Sequence, residues 1–187
     1  MAGGLLSVRQ GAQCLLDGRV IAYPTEAVYG LGCDPENEAA VRKILELKSR
    51  PSSAGMILIA DRLEHFAPYI EPVSAELKER ALAAWPGPVT WLFPRATHVP
   101  DWLAGIHPTI ALRITDHPVC RELCDAFGGA IVSTSANPGG EEPARSADQV
   151  GQYFGDSLCG TVEGDLGSQN QPSEIRDLAT GRVLRAG

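Results

Sequence analysis

Several short stretches of this chain place hydroxyls, cations and glycines where they could handle anions. Lys48-Ser49-Arg50-Pro51 sets two cations one residue apart at the end of a predicted helix. There they also offset the negative end of the helix dipole. On those four residues alone, ordinary decoration of a helix C-terminus is the preferred explanation. The proline and apolar strand that follow hold the pair near a strand edge, a placement that suits a polyphosphate. Strand alternation puts Thr109, Ala111 and Arg113 on one face. An arginine beside small residues on a strand face needs an anionic partner, supplied either by an internal Asp or Glu or by a ligand carboxylate. Ser133-Thr134-Ser135-Ala136-Asn137 follows an apolar run and offers a row of short donors and acceptors; the same residues also cap turns. Tyr23-Pro24-Thr25-Glu26-Ala27-Val28-Tyr29-Gly30-Leu31-Gly32 is rigid at Pro24, with a hydroxyl and a carboxylate side by side. Its two glycines allow close backbone approach to a ligand. No dinucleotide fingerprint results, because Pro35 stands where a third glycine would fall, and there is no GxxxxGK[ST] phosphate loop. Nucleotide binding would therefore rest on side chains.

The elements that must position these residues can be read from periodicity. Ser7 and Gln10 form a capping-box pattern for a helix over 7–17, which Gly18 ends. A strand over 20–23 leads into Pro24-Thr25-Glu26 and a glycine-containing turn. A second helix covers 37–48, with Val41, Ile44, Leu45 and Lys48 along one side, and Pro51 stops it. A buried strand is expected at 56–59, a short helix capped by Asp61, and a further helix over 74–84. Trp85-Pro86-Gly87-Pro88 reads as a turn, and 89–93 and 109–114 as strands. Asp116 with Pro118 starts a helix that runs to Phe127. A strand over 130–133, a helix over 147–154 and two short strands near Ile175 and Val183, joined at Gly181, complete the pattern. Alternating helices and strands predict a single α/β domain over 1–187, with a twisted, open, mixed sheet flanked by helices. Ligands in such sheets are expected beyond the strand ends, where the polar loops lie.

Composition sets the outer bounds. The length suits one core, and 44% hydrophobic residues are those of a globular chain. No apolar run approaches the roughly 20 residues that span a bilayer. Met1 to Gln10 lacks the basic and apolar blocks of a secretion signal, so a cytoplasmic location is expected. Five cysteines, an odd number with no CxxC, argue against a disulfide framework and agree with a reducing compartment. His117, Cys120 and Cys124 have partial metal-site spacing, but no fourth ligand is suitably placed, and one helix burying two thiols is the preferred explanation. The net charge of −7 disfavours indiscriminate nucleic-acid binding, while the cations are mostly arginine, suited to bidentate anion recognition.

Six motifs in order make the chain resemble the YrdC-like family of threonylcarbamoyl-AMP synthases, in its short bacterial form. They are Pro24-Thr25-Glu26 with Tyr29-Gly30-Leu31-Gly32, Lys48-Ser49-Arg50-Pro51, Pro86-Gly87-Pro88-Val89-Thr90, Ala111-Leu112-Arg113, Ser133 to Asn137, and Ser173-Glu174-Ile175-Arg176-Asp177. The resemblance implies a nucleotidyltransferase that joins L-threonine, bicarbonate or CO2 and ATP into threonylcarbamoyl-adenylate and pyrophosphate, for threonylcarbamoyladenosine modification of tRNA. By position, Thr25, Arg113, Ser133 and Ser173 would hold threonine, with Arg113 on its carboxylate. Lys48, Arg50, Thr109, Ser135, Asn137 and Arg185 would surround the nucleotide; the parts of Ser133 and Ser135 are interchangeable. Lys48 and Arg50 would stabilise the transferring phosphate, with Mg2+ accompanying ATP. Some relatives have Asp-Asn-Pro-Leu and a histidine after Lys-x-Arg-Pro. Here Ser53-Ala54-Gly55-Met56 stands instead, so no ligand contact is assigned to that stretch, and no histidine is made catalytic. The partner implied is the transferase complex that modifies tRNA.

Two rival functions differ in their requirements. YrdC-like modules also occur in larger carbamoyltransferases, whose zinc-finger and acylphosphatase-like parts this sequence lacks. A non-catalytic factor binding tRNA or duplex RNA would show steep salt dependence and no need for ATP.

Overall fold

The computed structural model describes residues 4–187. Residues 1–3, part of the stretch read above for targeting and of the domain range, lie outside the described residues. The strands are β1 (Leu5–Leu6), β2 (Ile21–Pro24), β3 (Tyr29–Gly32), β4 (Ile57–Ala60), β5 (Val89–Pro94), β6 (Thr109–Ile114), β7 (Ile131–Ser135), β8 (Thr161–Val162), β9 (Glu174–Asp177) and β10 (Val183–Arg185). The helices are α1 (Val8–Leu16), α2 (Glu38–Leu47), α3 (Ala75–Leu82), α4 (Asp101–Ala104), α5 (Pro118–Phe127) and α6 (Ala147–Phe154), with 3-10 turns at Ser52–Ala54, Leu63–Tyr69 and Gly155–Ser157.

All ten strands join one mixed sheet in the order β1-β8-β2-β3-β7-β4-β6-β5-β9-β10. Because side chains alternate across a strand, β2 divides its residues between two cores. Ile21 and Tyr23 point to α1 and α5, with Ile59, Leu123 and Ile131. Ala22 points the other way, to the larger core of Val41 and Ile44 from α2, Leu103 from α4 and Phe154 from α6. The expected open mixed sheet between helices is therefore present. The α1 and α5 pair covers its own face near β1, β8, β2 and β4. Farther along, over β6, β5 and β9, that face carries no such helix pair among the described residues and lines a cavity instead.

Helix starts follow their sequence signals. Ser7 and Gln10 form the reciprocal capping box. The side chains of Asn37, Ser74 and Ser146 each accept the backbone N–H three residues on.

Four expectations are corrected. Tyr29–Gly32 is a strand, not a turn, and pairs antiparallel with β2 and β7. Gly32 is required there because a Cβ would lie 2.6 Å from the Tyr23 ring and 2.7 Å from the Val132 carbonyl. Asp61 caps no helix: Arg62 occupies the cap position without a side-chain bond, and Asp61 faces Arg62 Nε and His65 Nδ1, each at 2.8 Å. Asp116 likewise cedes the cap of α5 to His117, with Pro118 opening the helix. Finally, Cys14 and Cys159 form a disulfide between α1 and the residue run entering β8, across 145 residues of sequence. An odd cysteine count left one such pair possible, and sequence separation says nothing about distance in space. The remaining cysteines, Cys33, Cys120 and Cys124, are buried. Cys120 and Cys124 donate to the carbonyls of Pro24 and Ile59 from one face of α5.

Candidate active site

The open part of the α1/α5 face is the floor of a cavity of about 430 Å³. Ligand space therefore lies on the sheet face and not beyond the strand ends, because the helices shield only half of that face. Alternation supplies the floor: Thr109, Ala111 and Arg113 from β6, Leu92 from β5, Ile57 from β4, and Ser133 and Ser135 from β7. The β7 strand runs on into the polar run, to Ser135, so both serines stand on a ladder instead of a loop.

Lys48 and Arg50 enter from the end of α2. Lys48 caps the helix, Ser49 N–H bonds Glu46 O, and Arg50 N–H bonds Leu45 O. This is the paired bonding of a Schellman turn. Its left-handed position, usually glycine, is held by Ser49 at φ 49°, a conformation that costs an L residue about 1–2 kcal/mol. The turn aims both flanking cations at the cavity. Lys48 Nζ donates to Ser135 O at 2.5 Å, and to Asn137 O and Oδ1 at 3.0 Å. Burial, and then repulsion from Arg50, push the Lys48 ammonium down to about 8. Three acceptors around it keep it cationic at neutral pH. Arg50 Nη2 reaches the Ala54 carbonyl, at 3.4 Å, and Arg185 Nη2 the Ser173 carbonyl, at 2.8 Å. Burial lowers both guanidinium values, and Arg50 and Arg113 add to the effect at Arg185.

Across the cavity, Arg113 Nη1 meets Glu26 Oε2 at 2.8 Å. Both side chains are buried. Burial alone would raise the Glu26 carboxyl, but the Arg113 guanidinium and the Thr115 hydroxyl outweigh it and hold the group below its ordinary value. The internal partner anticipated for Arg113 is thus Glu26. Thr25 Oγ1 donates to Val28 O at 2.6 Å, which leaves its lone pairs for a ligand donor. Ser173 Oγ shares a hydrogen bond of 2.8 Å with Thr90 Oγ1.

Of the ten residues expected from the sequence, Thr25, Lys48, Arg50, Thr109, Arg113, Ser133, Ser135, Ser173 and Arg185 all line this one cavity. Asn137 stands behind it, holding Lys48 and accepting from Ser135 Oγ at 2.7 Å. Sequence reading missed seven contributors. Ala54, Gly55 and Met56, in the stretch given no ligand role, form wall. His107 stands at the rim, exposed. Gln169 and Gln171 belong to a cover over 163–172, where Gly167 N–H and Gln169 N–H bond the carbonyls of Thr25 and Glu26 at 2.9 and 3.0 Å. Glu26 itself lay inside a quoted motif without a role. Its sequence signal was a carboxylate beside the Thr25 hydroxyl, between the rigid Pro24 and the glycines at 30 and 32.

Known proteins resemble this chain closely. A Sua5/YciO/YrdC family profile, described as "Telomere recombination", matches residues 13–187. The threonylcarbamoyl-AMP synthase of Pseudomonas savastanoi pv. phaseolicola is 52% identical over 180 residues, covering 96% of this chain and 97% of that protein. The threonylcarbamoyl-AMP synthase of Halorhodospira halophila is 51% identical, covering 95% and 93%. In three dimensions, the crystal structure of P. abyssi Sua5 complexed with L-threonine superposes with a TM-score of 0.86 at 29% identity. It covers 94% of this chain, which spans 52% of that longer protein.

Proposed function

We propose, from the premise that the chain belongs to the Sua5/YciO/YrdC family, that it is a threonylcarbamoyl-AMP synthase. The observation that carries this is the gathering of Lys48, Arg50 and Arg185 with Arg113 around one cavity. Two anionic substrates can meet there. In the reaction, the neutral amine of L-threonine adds to the carbon of CO2, or of bicarbonate with loss of hydroxide, and gives a carbamate after losing a proton. A carbamate oxygen then attacks the α-phosphorus of ATP, the bond to the bridging oxygen breaks, and pyrophosphate leaves. Such a transfer asks a protein for alignment and for charge stabilisation more than for covalent chemistry. Arg113 would hold the threonine carboxylate, Thr25 would accept a hydrogen bond from its amine or hydroxyl, and Ser133 and Ser173 would complete that end. Lys48, Arg50 and Arg185 would hold phosphates, with Thr109 and Ser135 beside the nucleotide.

Magnesium is assigned to the substrate, as the ATP complex. The cavity's carboxylate, Glu26, has its two oxygens on Arg113 and Thr115, so the wall does not fit a protein-made magnesium site. The product would pass to the transferase that carries the threonylcarbamoyl group to adenosine in tRNA, in the cytoplasm. Among the described residues no helix is long and apolar enough to cross a membrane.

Mass spectrometry after incubation with threonine, bicarbonate, magnesium and ATP tests the proposal. Threonylcarbamoyl-adenylate should appear, with equal pyrophosphate. Pyrophosphate release driven by carbamoyl phosphate and indifferent to threonine would move the assignment to carbamoyl-adenylate formation. RNA affinity with no ATP turnover would make it a binding protein.

A further inference from the structure

The cavity must hold a triphosphate and an amino-acid carboxylate without exchanging them. Lys48, Arg50, Arg113 and Arg185 would each attract either. One lining carboxylate, Glu26, breaks their equivalence, and it does so at a single cation. We propose that Glu26 is a positioning and sorting residue: it fixes the Arg113 guanidinium and offsets its charge, which reserves Arg113 for the substrate carboxylate and leaves the triphosphate to Lys48, Arg50 and Arg185. The inference rests on the synthase reading above.

Glu26 is held at both ends. Its Oε2 lies 2.8 Å from Arg113 Nη1, and its Oε1 accepts from Thr115 Oγ1 at 2.7 Å. Thr115 is fully buried, and its oxygen accepts the His117 N–H at 3.2 Å. That hydroxyl therefore has its proton on Glu26 and a lone pair filled, and it cannot rotate to another task. On the backbone side, the Gln169 N–H bonds the Glu26 carbonyl. Gly167 packs so closely that a Cβ would fall 2.7 Å from Glu26 Cα. Arg113, 7% exposed, forms an ion pair with this carboxylate through Nη1, while its Nε has no acceptor among the described residues. The guanidinium thus retains donor capacity that the protein does not use.

The other three cations differ. Lys48, Arg50 and Arg185 bond carbonyl, amide or hydroxyl oxygens, which are neutral and leave their positive charges uncompensated at the cavity. A polyanion seeks the strongest uncompensated field. Offsetting a cation costs a singly charged carboxylate less than it costs a triphosphate, and a guanidinium held as a planar fork still offers the carboxylate two parallel donors. The single acid therefore gives the cavity two ends of different electrostatic character.

Glu26→Gln keeps the shape and an acceptor but leaves Arg113 uncompensated. Pyrophosphate-release kinetics and calorimetric titration, with threonine alone and with a non-hydrolysable ATP analogue alone, test the idea. The threonine KM and Kd should rise about tenfold or more, the cost of one charge-assisted contact. ATP should also become a competitive inhibitor against threonine, because Arg113 now attracts phosphate. Thr115→Val keeps the carboxylate and removes one donor, so it should raise the threonine KM by less and produce no ATP competition. An unchanged threonine KM in Glu26→Gln, or a fall in kcat with both KM values untouched, overturns the sorting role, since a general support residue behaves that way. If Glu26→Gln does not fold, Thr115→Val decides: a threonine KM equal to the parent's overturns the inference. A parent protein that binds the ATP analogue but never threonine overturns the synthase reading and the inference together, a result visible before any variant is made.

Discussion

Replacing Lys48 with methionine removes an ammonium while keeping most of the apolar stem, and its consequences can be separated. For the fold, Ser135 O, Asn137 O and Asn137 Oδ1 lose their shared donor. A dry orphaned acceptor costs about 1–3 kcal/mol. These acceptors can take water from the cavity, and deleting a buried charge returns its desolvation cost. The net loss should therefore be about 1 kcal/mol, and the protein should fold. For the chemistry, loss of one preorganised charge at the transferring phosphate costs about 3 kcal/mol, or about a hundredfold in rate. The pH dependence supplies an independent check. In the free protein the ammonium loses its proton near 8. Triphosphate prefers the charged form, so nucleotide affinity should be level below that value and weaken as the pH rises through it. The slope approaches about tenfold per pH unit. Calorimetric titration with a non-hydrolysable ATP analogue from about pH 6 to about pH 10 would read both effects. The variant should bind more weakly and show no step near 8. Parent-like affinity in the variant across the whole range would refute the assignment of Lys48 to phosphate.

Other expectations follow from the same contacts. Gly32→Ala forces a methyl against the Tyr23 ring and the Val132 carbonyl, and should lower stability by about 1–3 kcal/mol in denaturant unfolding; an unshifted midpoint would contradict the packing argument. Cys14→Ser with Cys159→Ser removes a link closing a long loop and should cost about 2–5 kcal/mol under oxidising conditions. Against reduced parent protein the same variant should show little difference. The Glu26 carboxyl is held below its ordinary value of 4.5, so its pairing with Arg113 contributes stability that is complete above that value. It is lost only as the pH falls through the lowered folded value. Acid titration of Glu26→Gln should lack this component.

The elements legible from sequence were those whose signals are local. A capping box at Ser7 and Gln10, helix starts at Asn37 and Ser74, and the apolar stripe on α2 depend on neighbours within about one helical turn. The parts that were missed depend on distant contacts. Gly30 and Gly32 lower strand propensity, yet Gly32 lies in a strand because the ring of Tyr23 fills its Cβ space. Asp61 and Asp116 look like caps, but tertiary partners claim the first and Pro118 shifts the helix start past the second. No spacing rule brings Cys14 to Cys159. The cover over 163–172 has no periodicity to read, and it matters only because it bonds Thr25 and Glu26. At the site, the ordered motifs picked out most cations and hydroxyls of the cavity but not His107, Gln169 or Gln171, and quoted Glu26 without a role. They were silent on its apolar walls at Ala54 to Met56, which are defined by shape.

The most direct test of the account is a crystal structure with L-threonine and a non-hydrolysable ATP analogue bound together. The threonine carboxylate should lie on Arg113 beside Glu26, and the phosphates on Lys48, Arg50 and Arg185, with the amine facing the α-phosphate across the same cavity. A nucleotide seated elsewhere on the molecule, or phosphates resting on Arg113 with threonine displaced, would contradict it.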